Sequence, residues 1–211
     1  IIARDLELVR DLGVRVHFGR LSSARAVELV AGARAEGLPV SADVAVHQLH
    51  LTEIDLAGFD SRCHVRPPLR GPRDKDALRI GLASGALGAL CSDHQPHEPD
   101  AKQAPLGDTE PGISGLDTLL ALGLRLARDG VMPLPVLLER LTWGPARILG
   151  LEGGHFGTGA PADVCIFDPE AVWVLEPGTL RSRGQNSPFV GWELQGRVTH
   201  TLLAGRAVYE A

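Results

Sequence analysis

Apolar positions in the first 130 residues fall alternately at helical and at extended spacing. Ile2, Leu6, Val9 and Leu12 lie three or four apart and predict a helix with one apolar face, closed by Gly13. "VRVHFGRL" follows as a strand. "SSARAVELVAGARAEG" carries the clearest helical signal: Ser22 or Ser23 can cap it, Ala26, Leu29, Val30 and Ala33 form the stripe to be buried, and Gly37 ends it. "LPVSADVAVHQL" is the next strand, and "RCHVRPPL" is extended because a residue before proline is pushed away from helical angles. "DKDALRIGLASG" is helical, and "ALGALCSD" is the last strand of the series. Strands and helices alternating at this spacing make parallel βαβ units. Residues 1 to about 115 are expected to supply four such strands.

Residues 116 to 150 are helical in pattern, with "LDTLLALGLRLARDG" followed by "PLPVLLERLTWGPARILGL". After "EGGHFGTGAPAD" the period changes. "DVCIFDP", "AVWVLEP" and "GRVTHTLLAGRAVYE" are short β segments split by Gly and Pro, and "LLAGRAVYE" predicts a hairpin around Ala204-Gly205. The expected organisation is an α/β unit over residues 1–152 and a small β unit over 153–211.

Polar residues interrupt this pattern at one recurring place. His17, His47, His64 and Asp93 each stand at or just beyond the C-terminal end of an apolar segment, the edge where a (β/α) barrel carries its active site. One such histidine alone is more often a hydrogen-bonded core or rim residue, but four polar residues in succession favour a site. A strand-end carboxylate can ligate a divalent metal and take a proton from metal-bound water, so Asp93 with His47 makes half of such a site. His97, four residues past Asp93, faces a substrate on this reading. The long polar loop that follows carries Gly112 and Gly115, which allow close backbone approach, and a helix start whose N–H groups suit an anionic or carbonyl-bearing ligand. Arg66 and Arg70 in "RPPLR" could hold a carboxylate in bidentate fashion or be ordinary surface arginines in a turn.

Composition narrows the classes. Of 211 residues, 44% are hydrophobic and 22% charged, which is a globular chain with a core. A net charge of −5 and no basic stripe argue against nucleic acid, and no apolar run approaches the roughly 20 residues of a membrane helix. Cys63, Cys91 and Cys165 lie far apart with no CxxC pair, so neither a disulfide framework nor a thiolate zinc site is indicated, and a reducing cytoplasm is the expected compartment. The opening "IIARDLELVRDLGV" has no initiator methionine and no signal layout, and reads as the downstream part of a longer protein.

Seven stretches, "VSADVAVHQLHLT", "HVRPPLR", "CSDHQPHEPDAKQAP", "GISGLDT", "GPARILGL", "GAPADVCIFDP" and "NSPFVGWELQGRVTHTLLAGRAV", together resemble the second half of a dihydroorotase of the amidohydrolase superfamily. The resemblance covers nearly the whole chain in order. It implies the C-terminal half of a metal-dependent (β/α)8 barrel followed by a small β-sandwich segment, and the reversible closing of the cyclic amide of dihydroorotate in pyrimidine synthesis. It implies Asp93 as metal ligand and general base, His47 as ligand to the second metal, and zinc as the cofactor. His97, with the backbone of Pro111 and Gly112, would hold substrate. The family's HxH pair and fourth-strand ligand would lie upstream of Ile1.

Three positions depart from the family pattern. Arg20 in "RLSS" stands where the family has a metal histidine, Arg66 replaces a substrate asparagine, and Gln48 replaces the second histidine of "PHH". A guanidinium stays protonated, offers no lone pair and repels a cation. The departures imply the branch of dihydroorotase-like chains that have lost metal ligands and act as structural partners of the aspartate transcarbamoylase catalytic chain, in an oligomer and without nucleic acid or membrane. The alternatives are an active dihydroorotase with a single metal ion or another cyclic-amide hydrolase of the hydantoinase kind. If no second metal is held, Arg20 is expected to pair with Asp93 or Asp43.

Overall fold

Three parallel strands carry the first half of the chain. In the computed structural model, which describes residues 1–211, β1 (Val16–Phe18), β2 (Val40–Ala45) and β3 (Ala89–Cys91) pair in that order. Val16 lies opposite Val40, and Asp43 opposite Ala89. Helices α1 (Ile2–Leu12), α2 (Ala24–Ala35) and α3 (Pro72–Ser84) alternate with the strands. Ser23 caps α2, its side chain accepting the Ala26 N–H, and Ala26, Val27, Val30 and Ala33 are buried beneath the helix. Val27 takes the place expected of Leu29, which is only half-buried. In α1 the buried face is Leu6 and Val9, whereas Leu12 is 68% exposed.

The fourth strand expected in the first 115 residues is not formed. "RCHVRPPL" begins as a short 3-10 turn over Ser61–Cys63, capped by the Asp60 carboxylate, and continues extended but unpaired. Pro67 and Pro68 have no N–H to give a ladder, so extended backbone here does not become a strand. His64 therefore stands on a loop, and His17 lies within β1 rather than beyond its end.

Beyond the barrel strands come α4 (Leu119–Arg128), α5 (Leu134–Leu141) and α6 (Trp143–Leu149). The break at Thr142 (φ −126°, ψ −83°) precedes Pro145, which cannot donate to Leu141 and so ends the α5 ladder. The tail is an antiparallel sheet of β4 (Val164–Val174), β5 (Glu193–Leu203) and β6 (Arg206–Glu210). "DVCIFDP" and "AVWV" form one strand rather than two, because Pro169 falls in an irregularity between Asp168 and Val172 where its missing N–H costs no ladder bond. The hairpin falls where its sequence places it: Ala204 (φ 49°) and Gly205 (φ 78°) join Leu203 to Arg206.

One apolar core joins the two sheets. It runs from Val30, Val44 and Leu82 through Leu122 and Leu137 to Phe189 and Leu194. Gly196 lets β5 settle on α4, since a Cβ there would collide with Leu124. No helix is long and apolar enough to cross a membrane.

Candidate functional site

The C-terminal ends of the three barrel strands meet around one carboxylate. Two residues beyond β3, Asp93 takes a φ of 45° and buries its side chain to 8% exposure. One oxygen, Oδ1, accepts the Gln95 amide at 2.8 Å and the Arg20 guanidinium at 3.1 Å. Arg20, two residues beyond β1, also has a positive φ of 58°. That conformation costs an arginine about 1 kcal/mol, and a charge-assisted bond from its N–H to Asp43 Oδ1 at 2.7 Å offsets it.

Asp43, on β2, is the hub of a second layer. His17 Nε2 meets its Oδ2 at 2.8 Å, and His17 Nδ1 meets Ser41 Oγ at 2.8 Å. The Cys91 thiol donates to Asp43 Oδ1 at 3.5 Å, and burial pushes that thiol up so that it stays a protonated donor. Cys63 is likewise pushed up, to about 11, by burial, and all three cysteines are free. His17 is thus turned to Asp43 and Ser41.

His47 lies in the 3-10 turn Val46–Leu49 that follows β2 directly. It is 1% exposed, and neither ring nitrogen has a partner. Burial lowers its pKa to about 4, with Arg20 pressing the same way and Asp93 opposing. The ring is therefore neutral at pH 7 and holds one lone pair, unused. Its neighbour Gln48 is also buried, and its amide donates to the Pro67 and Pro68 carbonyls at 3.0 and 3.4 Å. Where a second histidine would offer a lone pair, Gln48 staples "RPPLR" to the barrel.

The loop after Asp93 is closed upon itself. Gly112 N–H donates to His64 O at 2.8 Å, and Gly112 O accepts from Lys102 Nζ and Asn186 Nδ2, each at 3.0 Å. His97 Nε2 meets Pro111 O at 3.2 Å. The N–H groups of Gly115 and Leu116, expected to be free for a ligand, both donate to His94 Nδ1. His64 Nδ1 meets Thr109 Oγ1 at 2.8 Å, and burial, with Lys102 and Arg66, lowers its pKa. Arg70 Nε donates to Ser22 Oγ at 3.4 Å, and both Arg66 and Arg70 are exposed.

Three contributors escaped the sequence reading. Gln95 holds Asp93, and Lys102 gathers the carbonyls of Ser61, Glu110 and Gly112. Asn186, from the segment between β4 and β5, accepts the His97 N–H at 2.8 Å and donates to Gln95 O at 2.9 Å. The sequence signal for Asn186 is its place at the head of "NSPFVGWELQGRVTHTLLAGRAV", whose start becomes buried around Phe189.

The residues present do not fit a two-metal centre. His47 offers a lone pair, but the Asp93 oxygen beside it is held by a fixed positive charge, and no three His, Cys, Asp or Glu side chains converge as a ligand set. At ~4 Å and an effective dielectric near 20, each unit of like charge costs about 4 kcal/mol, and a divalent ion feels twice that.

Known proteins resemble this chain along nearly its whole length. Residues 3–208 match the amidohydrolase family. The chain is 51% identical to a dihydroorotase-like protein of Pseudomonas aeruginosa over 99% of its own length and 49% of the relative's. It is 42% identical to a dihydroorotase of Syntrophotalea carbinolica, again over 99% of this chain and 49% of that one. In structure it is similar to the L-hydantoinase of Arthrobacter aurescens, with a TM-score of 0.93 and 28% identity, covering 99% of this chain and 48% of the other. The chain spans about half the length of the curated relatives it matches.

Proposed function

This chain belongs to the amidohydrolase family, and we propose that within the full-length protein it serves as a noncatalytic, dihydroorotase-like partner of the aspartate transcarbamoylase catalytic chain in cytoplasmic pyrimidine synthesis. The observation that carries this reading is the Arg20 guanidinium lying 3.1 Å from Asp93, the residue the resemblance assigns as metal ligand and base. Further support comes from the Pro111 and Gly112 backbone, whose carbonyls and single N–H already have partners inside the chain. A relative named dihydroorotase-like protein, 51% identical to this chain, supports the same reading. The test mixes full-length protein with isolated aspartate transcarbamoylase catalytic chains and follows particle mass and carbamoyl-aspartate formation. A stable mixed particle with raised transcarbamoylase activity is expected. Catalytic chains that assemble and work equally well alone would refute the proposal.

A second reading has its own observation. Asp93, His47 and His97 are all retained, and the His47 lone pair is unspent. With upstream histidines these residues would serve a zinc-dependent dihydroorotase using a single ion, interconverting N-carbamoyl-aspartate and dihydroorotate. Dihydroorotases at about 40% identity, such as that of Syntrophotalea carbinolica, favour it.

A further inference from the structure

Arg20 reaches Asp93 along a path the chain builds for it. Its left-handed backbone turns the side chain across the strand ends, and its N–H is pinned to Asp43, which His17 and Cys91 fix in turn. Asp93, itself at positive φ and nearly buried, is steadied by Gln95 on the same oxygen that meets the guanidinium. His47 stands two residues beyond Ala45, as Asp93 stands two beyond Cys91, its partner across β2 and β3, yet neither of the His47 nitrogens is bonded. A sealed imidazole without a partner is an unmet polar group, and such groups are rare in native folds.

We infer that the Arg20 guanidinium is a built-in cation that neutralises Asp93 in place of a divalent ion, and that His47 and Asp93 are the kept half of a latent metal site whose closure rests on Arg20. Gln48 does not close it, because its amide points to the Pro67 and Pro68 carbonyls. The inference does not depend on the transcarbamoylase partner. It is read from metal content, so its failure and the failure of that proposal are separable.

The experiment loads the full-length protein with Zn2+ or Co2+ and measures bound metal by elemental analysis, with the visible spectrum of Co2+ reporting inner-sphere ligands. In the wild type, metal content should not change on His47→Ala. Arg20→His should gain one further ion per chain, bound at least a thousandfold more tightly than at the same place in the wild type. The gain should vanish in the double variant Arg20→His/His47→Ala. Wild-type metal content that drops on His47→Ala would overturn the inference, as would a folded Arg20→His protein with no added ion. If Arg20→His does not fold, Arg20→Gln decides: loss of the charge alone must bring Co2+ binding that His47→Ala abolishes, and its absence overturns the inference.

Discussion

Acid should unfold this protein through two buried histidines. Burial lowers the pKa of His47 to about 4 and that of His50 to about 3, with Arg79 adding to the second shift. His50 is neutral, its Nε2 donating to Leu122 O at 2.9 Å. In the unfolded chain both titrate near 6.5. Between about pH 6.5 and 4 the unfolded state therefore takes up protons that the folded state refuses. The stability is whole above that window and is lost as pH falls through it. At about 1.4 kcal/mol per unit, 2.5 units cost about 3.5 kcal/mol for each histidine, and about 7 kcal/mol for the pair at pH 4. That is the size of a typical domain's whole stability. Urea denaturation followed by circular dichroism, from about pH 7.5 to 4.5, should show a slope near 2.7 kcal/mol per pH unit around pH 5. His50→Gln, which can keep a donor for Leu122 O, should halve the slope, and so should His47→Leu. Slopes equal to the wild type in both variants would refute the reasoning, because the imidazoles would then be protonated within the fold.

Two further substitutions test how the site is held. Gly112 has a φ of 145°, and a Cβ there would lie 2.5 Å from Gln95 Cβ and 3.0 Å from its carbonyl oxygen. Gly112→Ala should cost about 2–3 kcal/mol in thermal denaturation, and an unchanged midpoint would show that the loop shifts freely. Asn186→Ala removes three hydrogen bonds that tie the tail to the loop. It should cost about 2–3 kcal/mol and raise amide exchange at His97, whereas exchange confined to the tail would contradict the tie.

Much of this fold is legible in the sequence because its signals are local. The α2 cap at Ser23, the stop at Gly13 and the Ala204-Gly205 hairpin each follow from residues within a turn of the feature they set. Strand pairing is not local. "RCHVRPPL" has the backbone preference of a strand but lacks N–H groups at Pro67 and Pro68, and its carbonyls are taken by Gln48 from another element. The candidate site divides the same way. The pairing of Arg20 with Asp93 follows from charge and strand-end position, with Asp43 taking the Arg20 N–H instead of its guanidinium. The capture of the Gly115 and Leu116 N–H groups by His94, and the reach of Asn186 from beyond β4, depend on contacts 21 to 91 residues apart in sequence, which no spacing rule conveys.

The central claim is that Arg20 has taken the metal's place beside Asp93 and left the site without its chemistry. Turnover of dihydroorotate by the intact full-length protein, purified, supplied with excess zinc and assayed alone and with aspartate transcarbamoylase catalytic chains, tests it most directly. No conversion above the protein-free rate is the expected result in either mixture. Zinc-dependent conversion that is lost on Asp93→Asn would contradict the account.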